Sequence, residues 1–159
     1  MSNERIDEEK IEIKPLKLNK KTLELLLKFD EENQKINFPK DRPNREETTN
    51  RIKREYGEEP EGMNLVTYGG EIIGCLFLKT RYNPYRRCHF GDLRNIYLVE
   101  KFRGKDVGEI LMSYMGRYFK EKGCKYMLLG TSFDNERARG LYKKMGFTET
   151  RILMKKEIA

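Results

Sequence analysis

The sequence predicts a mixed α/β domain in which helices lie on both faces of a twisted sheet. Strand-like apolar runs alternate with segments of helical periodicity along the chain. Residues 93–122 show this most clearly, because an apolar run is followed by a charged turn and then by an amphipathic helix. Gly69 and Gly70 separate two strand-like runs and supply the positive φ angles of a tight hairpin.

The other elements are predicted from local signals. Asn19 is a suitable N-cap for a helix that follows a first strand at residues 11–18. Residues 38–62 are polar, and we expect a short, loosely held and mobile helix there, with Asn44 and Glu47 at capping-box spacing. The later elements are a strand at 126–131, a helix capped by Asn135 and ended by Gly146, and a last strand, 152–158, that closes the sheet with Phe147.

The composition limits the class of protein. The 159 residues carry a formal net charge of +7, with the basic excess in residues 61–159 but without a basic arm of the kind that binds nucleic acid. Three separated cysteines and a single histidine, His89, predict free thiols and no metal site. No apolar run is long enough for a signal segment or a membrane span. We expect a single cytoplasmic domain, residues 1–159 with a flexible leader at 1–9, and no membrane or nucleic-acid partner.

The charged turn at residues 103–108, R-G-K-D-V-G, is suited to phosphate. The first backbone N–H groups of a helix have no intrahelical partner and lie at the positive end of the helix dipole. Glycine lets phosphate oxygens approach the backbone, because no Cβ stands in the way. The alternative is an ordinary strand-to-helix turn with solvated charges, and a second motif is needed to decide.

Residues 135–147, N-E-R-A-R-G-L-Y-K-K-M-G-F, supply that second motif. They resemble the N-x-x-A-x-x-L-Y-x-K-x-G-F pattern of the GNAT superfamily of N-acetyltransferases, and the turn at 103–108 resembles that family's phosphate loop, Q/R-x-x-G-x-G/A. The two motifs stand in the family's order, separated by one helix and one strand, and the resemblance covers roughly residues 60–150. It implies a GNAT-like fold with a mostly antiparallel twisted sheet, in which the two central strands splay apart.

The resemblance also implies a ligand and its contacts. Acetyl-CoA would be the acetyl donor, without a metal, and its pantetheine arm would pair with the strand residues Ile96, Tyr97 and Leu98. Asn135 would hold the arm from the other side. The pyrophosphate would meet the loop residues Arg103, Gly104, Lys105, Asp106, Val107 and Gly108.

Acetyl transfer to an amine needs a base and benefits from an acid. An alkylammonium has a pKa of about 10.4 and no lone pair, and a thiolate leaves more readily when a group donates a proton to it. Tyr142 matches the tyrosine of the family motif and is the candidate acid that also contacts acetyl-CoA; the alternative is a packed helix aromatic. Many relatives carry a glutamate where Arg94 or Gly130 stands here. The base is therefore unassigned, and the candidates that would act through water are His89, Asp92, Glu100 and Asp134.

Asp106 departs most clearly from the family, which prefers glycine at this position. A carboxylate that faces a phosphate at about 5 Å costs roughly 3 kcal/mol at an effective dielectric constant near 20. Asp106 and Glu109 stand at N-cap and N3 spacing, which indicates that Asp106 caps the helix or turns to solvent instead. We predict that Asp106→Gly tightens the binding of acetyl-CoA.

Three functions are compatible with the sequence. The leading hypothesis is direct acetyl transfer to a primary amine of a small molecule, a peptide or a protein. The second is a non-catalytic acyl-CoA-binding or regulatory module, which the missing glutamates motivate, and the third is an RNA- or ribosome-associated protein, which rests on net charge alone. A homodimer is left open. Four arginines favour an anionic acceptor: Arg81, Arg86, Arg87 and Arg94. The first three of these also suit a solvated hairpin end.

Overall fold

The computed structural model describes residues 5–159. Its strands form a single five-stranded sheet, and its helices lie on both faces of that sheet. The strands are β1 Ile11–Pro15, β2 Met63–Tyr68, β3 Glu71–Asn83, β4 Cys88–Leu98 and β5 Met127–Leu129. The helices are α1 Lys20–Asn37, α2 Arg45–Glu58, α3 Val107–Glu121 and α4 Glu136–Lys144. The strands lie in sequence order, and all neighbours are antiparallel except β4 and β5, which are parallel. The predicted mixed α/β fold is confirmed.

Polar side chains at the N-cap positions determine where α1 and α2 begin. The Asn19 side chain accepts a hydrogen bond from the backbone N–H of Thr22 at 3.0 Å, and the Thr22 hydroxyl accepts one from the Asn19 N–H at 2.9 Å. Asn44 caps α2 by accepting from the Glu47 N–H at 3.1 Å. The expectation of a loosely held helix at α2 is not met, because Ile52 is 1% exposed and anchors it to the core. None of the helices in residues 5–159 is long and apolar enough to cross a membrane.

Two apolar clusters cover the two faces of the sheet. Because successive side chains of a strand point to opposite faces, Leu76 and Leu78 of β3 pack under α3, whereas Cys75 and Phe77 pack under α1 and α2. The main helix residues of the α3 cluster are Leu111, Met115 and Phe119, and those of the opposite cluster are Leu26, Phe29 and Ile52. Burial of each such side chain contributes about 1.5–3 kcal/mol. The sheet is thus fixed between two helical layers.

A bulge and a splay interrupt the centre of the sheet. Leu78 pairs with Leu93 and Phe77 with Asn95, so Arg94 has no partner on β3. A bulge of this kind bends a strand and increases its twist. β5 pairs with β4 only at residues 91–93, and the rest of β4 up to Leu98 has an open edge on that side within the described chain. The predicted splay of the central strand pair is confirmed.

The two ends of the chain differ from the sequence-based expectation. No strand forms in residues 147–159, so the prediction of a closing strand at 152–158 is wrong. β5 has only three residues and offers too short an edge to hold that run, and Ile152 and Leu153 are 90% and 99% exposed. At the other end, residues 1–4 of the predicted leader lie outside the described residues, while Asp7 caps a 3₁₀ turn at Glu8–Lys10.

Candidate functional site

The loop between β4 and α3 presents a row of free backbone N–H groups. None of the N–H groups of residues 104–108 donates a hydrogen bond to another described residue. Gly104 and Asp106 have φ angles of +69° and +65°, and backbone with left-handed residues at close spacing forms concave anion sites. α3 begins at Val107 and adds the positive end of its dipole. This geometry suits a phosphate group.

Two cations of α4 flank this loop. A Cβ on Gly104 would lie 2.5 Å from Nη2 of Arg137, so the guanidinium rests directly against the loop backbone. Lys144 pairs with Glu109, which raises the pKa of Lys144, with a smaller contribution from Asp106. The sequence analysis missed Arg137, because it occupies an unspecified position of the N-x-x-A motif. Its position beside a glycine of the phosphate loop depends on how α3 packs against α4.

The side chain of Asp106 does not cap α3. It makes no capping hydrogen bond, and Glu109 binds Lys144 instead of reaching back to the loop. Of the two predicted alternatives, the self-capped helix is therefore wrong and the turn to solvent is confirmed, because Asp106 is exposed. Its φ of +65° lies in the left-handed region, which costs energy for a residue with a Cβ.

The open edge of β4 presents the backbone of alternate residues. Val99 donates its N–H to Ile73 of β3 at 2.8 Å. Because residues of an antiparallel strand alternate in the direction of their backbone groups, Ile96 and Leu98 direct theirs to the open edge. The carbonyl of Leu98 already accepts a 2.7 Å hydrogen bond from Nε of Arg103. The N–H and C=O groups of Ile96 and the N–H of Leu98 are thus available for strand-like pairing.

Side chains of the predicted strand residues point to different faces. Ile96 and Leu98 pack against the α3 cluster, whereas Tyr97 belongs to the α1 cluster and lies 4.7 Å from Phe29, centroid to centroid. Burial raises the pKa of Tyr97, and the nearby Arg103 guanidinium opposes this shift. The backbone N–H and C=O of Tyr97 face β3, so the structure does not favour a hydrogen bond from a bound arm to Tyr97.

Tyr142 is a buried residue whose hydroxyl is free of hydrogen bonds to the described part of the protein. The residue is 8% exposed and shares the α3 cluster with Ile96 and Leu98. Its ring packs edge-on against Phe147 at 6.0 Å, and its hydroxyl makes no hydrogen bond to another described residue. Burial raises the pKa of Tyr142. The hydroxyl is therefore a protonated donor at neutral pH.

Four asparagine side chains form a continuous chain of hydrogen bonds. Asn135, the N-cap of α4, donates from Nδ2 to Oδ1 of Asn37 at 3.3 Å. Asn37 donates to Oδ1 of Asn33 at 2.8 Å, and Asn33 donates to Oδ1 of Asn95 on β4 at 2.9 Å. The amide chain thus connects α4, α1 and the bulged strand. Sequence reasoning identified only Asn135, because the other three lack a motif.

A polar cavity of about 740 Å³ lies between α1, α2 and the bulge of β4. This volume is within the range of small-molecule sites. Three members of the amide chain line it, together with polar and charged residues that include Asp30, Arg51, Arg54 and Arg94. The cavity therefore reaches β4 where the strand pair splays apart.

Only one of the four arginines that the sequence favoured for an anionic acceptor lines this cavity, namely Arg94. Arg81 pairs with Asp92 at 3.2 Å, and the guanidinium of Arg86 lies 5.1 Å from the centre of the Tyr126 ring. The hairpin end at residues 81–87 is therefore a separate surface.

The candidate bases are dispersed, and only Asp92 lies beside Arg94. Its carboxylate is 3.4 Å from Arg94 and 3.2 Å from Arg81. The His89 ring lies 5.2 Å from the Tyr82 ring, centroid to centroid, at a tilt of 60°. The other two candidates are exposed, Glu100 in a 3₁₀ turn and Asp134 in the connection before α4. Of these candidates, only Asp92 thus lies near the cavity, where it is paired with Arg94.

Glu55 of α2 is a buried carboxylate that the sequence did not indicate. Its side chain is 7% exposed, and Oε1 lies 3.5 Å from Nη2 of Arg94. Oε2 is buried and has no hydrogen-bond partner within the described residues. This buried acid is easily missed in the sequence, because α2 is a polar helix. Its neighbours along the chain are exposed, as Arg54 is, or half-buried, as Tyr56 is.

The chain belongs to the acetyltransferase (GNAT) family, whose family model matches residues 24–147. The family uses acetyl-CoA as acetyl donor. Curated relatives include the uncharacterized N-acetyltransferase YdgE of Bacillus subtilis, 30% identical over 60% of this chain and 59% of that protein. Another is the thialysine N-epsilon-acetyltransferase of Bos taurus, 31% identical over 55% of this chain and 47% of that protein. The alignments span about half the length of these relatives.

Solved structures share the fold. A possible acetyltransferase from Clostridium difficile 630 superposes with a TM-score of 0.73 at 18% identity and covers 94% of this chain and 97% of that one. The NatC complex bound to Gag peptide and CoA contains a chain with a TM-score of 0.73 at 18% identity, covering 89% of this chain and 87% of that one. At this identity the likeness concerns the fold alone.

Proposed function

We propose that the protein transfers an acetyl group from acetyl-CoA directly to a primary amine of a small molecule or peptide. The observation that carries the proposal is the row of free N–H groups at residues 104–108, which leads to the open edge of β4 beyond Leu93. Family membership supports the reaction type. The bovine relative is named for an ε-amine substrate, and the NatC neighbour holds a peptide, which supports an amine acceptor.

The residues of the cleft fit the donor. The backbone N–H groups at 104–108 bind phosphate oxygens, and Arg137 and Lys105 add positive charge. The backbone N–H and C=O groups of Ile96 provide a donor and an acceptor for an amide of the pantetheine arm. Tyr97 and Leu98 extend the strand beside the arm. Asn135 keeps the α4 side of the cleft in place through its cap and its bond to Asn37. When bound, acetyl-CoA supplies an activated acetyl thioester.

Tyr142 donates the proton that the departing thiol needs. Its hydroxyl is free of protein partners, and burial keeps it protonated because the pKa of Tyr142 is raised. General acid catalysis contributes typically about 10²- to 10⁴-fold in rate. The T-shaped contact with Phe147 and the surrounding α3 cluster hold the ring in one orientation.

The ammonium proton of the acceptor leaves through solvent in the polar cavity. The carboxylates Asp30, Glu55 and Asp92 each face an arginine, so none of them is an unpaired base. The amide chain at Asn95 offers hydrogen-bond acceptors to the amine without adding charge. We therefore expect the rate to rise with pH as more free amine becomes available.

A second candidate is a non-catalytic acyl-CoA-binding module, which the arginine at the bulge favours, since Arg94 stands where many relatives carry a glutamate. The test is a thiol-release assay with acetyl-CoA and a panel of amines, beside calorimetry of acetyl-CoA binding. Amine-dependent thiol release supports the transferase and excludes the binding-only alternative. Tight binding without release for any amine supports the binding module, and absence of both contradicts the donor site itself.

A further inference from the structure

We propose that the cavity between α1 and α2 selects acceptors that carry an anionic group, a carboxylate or a phosphate, close to the reacting amine. Arg54 and Arg94 bind this group. The inference rests on the proposed acetyl transfer and assigns the acceptor class. It follows from the placement of the arginines, from their protein partners and from the position of the bulge.

The bulge places Arg94 and Asn95 on the same face of β4. In a regular strand two adjacent side chains point to opposite faces, but Arg94 is the extra residue of the bulge. Both residues line the cavity, and Asn95 bonds Asn33 of α1. Adjacent Cα atoms are about 3.8 Å apart. A ligand whose anionic group binds Arg94 therefore lies beside the amide chain at Asn95.

Arg94 contacts two carboxylates outside the cavity lining and keeps N–H donors free toward the cavity. Asp92 and Glu55, which do not line the cavity, lie 3.4 Å and 3.5 Å from its terminal nitrogens. These distances are long for charge-assisted hydrogen bonds, which are about 2.7–2.9 Å. A guanidinium has five N–H donors, so two long contacts leave Arg94 able to bind a ligand oxygen.

Arg54 is the second cation and forms no ion pair with any residue in 5–159. It lies near Arg94, because both arginines line the cavity and Glu55, the next residue after Arg54, contacts Arg94. Arg51 lies one turn before it but is committed to Asp30 at 2.7 Å. The β4 end of the cavity thus has two arginines with unused hydrogen-bonding capacity.

The carboxylates of the lining do not favour a cationic ligand at this end. Both oxygens of Asp30 are already hydrogen-bonded, one to Arg51 and the other to Thr48 and Gln34 at 3.2 Å and 3.0 Å. Glu47 lies in the first turn of α2, about 10 Å along the helix from Arg54. The remaining acid, Asp41, is in the connection between α1 and α2. Among the residues that line the cavity, the charges beside the bulge are therefore the two arginines, while Asp92 and Glu55 contact Arg94 from outside the lining.

The test compares matched amines that differ only in the anionic group. One pair is β-alanine and propylamine, a second is phosphoethanolamine and ethanolamine, and spermidine is the cationic contrast. The expected kcat/KM is at least about tenfold higher for the anionic member of a pair, since a hydrogen bond to a charged group contributes about 1.5–3 kcal/mol. The two pairs distinguish carboxylate from phosphate.

Variants tie the preference to the arginines. Arg54→Gln and Arg94→Gln should each lower the preference for the anionic member of a pair, read as the ratio of its kcat/KM to that of the neutral member, about tenfold. Lys53→Gln is the matched control, because Lys53 is exposed on the same helix and does not line the cavity. Arg54 is also exposed, so its variant should fold even where Arg94→Gln unsettles the buried Glu55.

The outcomes separate the two proposals. Equal or better acetylation of propylamine or spermidine overturns the anionic-acceptor inference while the transferase stands, as does an Arg54→Gln variant that matches Lys53→Gln. Failure of the transferase itself would appear as no acetylation of any amine together with no calorimetric binding of acetyl-CoA. In that case the anionic-acceptor inference also fails.

Discussion

The Nε atom of Arg103 donates a 2.7 Å hydrogen bond to the backbone carbonyl oxygen of Leu98. The side chain of the first loop residue thus ties the loop to the last residue of β4. The guanidinium also lies 5.3 Å from the centre of the Tyr97 ring. Arg103 therefore connects the strand edge to the anion-binding backbone that follows it.

Arg103→Ala should lower the free energy of unfolding by about 1–2 kcal/mol, because a hydrogen bond from a charged group is lost at a partly buried position. The loop should then be held less firmly, and acetyl-CoA should bind severalfold more weakly. Denaturant titration and calorimetry measure the two effects. Arg103→Lys keeps the charge without the Nε donor and should lie between wild type and alanine. Unchanged stability in Arg103→Ala would contradict a tethering role.

Asp106→Gly should tighten acetyl-CoA binding severalfold and raise the free energy of unfolding by up to about 1 kcal/mol. The left-handed φ of +65° is costly for aspartate, whereas glycine adopts it readily. Removal of the carboxylate also takes negative charge away from the anion site. Asp106→Asn separates the causes, because it removes the charge and keeps a Cβ. Weaker binding of acetyl-CoA by the glycine variant, measured by calorimetry, would refute the interpretation that Asp106 disfavours acetyl-CoA binding.

Asn37→Ala should interrupt the amide chain at its centre. The substitution removes the acceptor of Asn135 and the donor to Asn33, and we expect a loss of about 1–2 kcal/mol in unfolding free energy. Because Asn37 also lines the acceptor cavity, KM for the amine should rise more than KM for acetyl-CoA. Lys35→Ala, on the exposed face of the same helix, should have little effect. Equal behaviour of the two variants would show that the chain has no role.

Tyr142 should make the stability of the protein fall at high pH. Burial raises the folded-state pKa of Tyr142 above the unfolded value of about 10. Its contribution is fully present below pH 10 and is lost as the pH rises through the folded pKa, because the unfolded chain releases the proton first. Unfolding curves of wild type and Tyr142→Phe should be parallel below about pH 9 and diverge above about pH 10, with wild type losing more. Parallel curves throughout would contradict burial of the neutral hydroxyl.

Local signals explain what the sequence could predict. Asn19, Asn44 and Asn135 cap helices by bonding residues three positions ahead, so their roles can be recognised without the fold. The hairpin glycines, Gly69 and Gly70, have φ angles of +56° and +88°, as a tight turn requires. The phosphate loop and the Tyr142 motif are also continuous segments. Their geometry agrees with the predicted contacts, which stay predictions until a ligand is bound.

The remaining features depend on contacts between distant segments. Asn33 meets Asn95 across 62 positions and Asn135 meets Asn37 across 98, so no local pattern indicates the amide chain. The buried Glu55 of α2 meets Arg94 at the bulge of β4 across 39 positions, and neither segment alone reveals this contact. The closing strand at 152–158 was predicted from its own apolar residues, but strand formation also requires a partner edge, which the short β5 does not provide.

The most direct test of the account is the turnover number of Tyr142→Phe with the best acceptor of the amine panel. The substitution removes a hydroxyl that has no protein partner, so the fold and KM for acetyl-CoA should remain close to wild type. If Tyr142 is the acid, kcat falls about 100-fold or more. A kcat equal to that of wild type, with acetylated product formed at the same rate, would contradict the proposed mechanism.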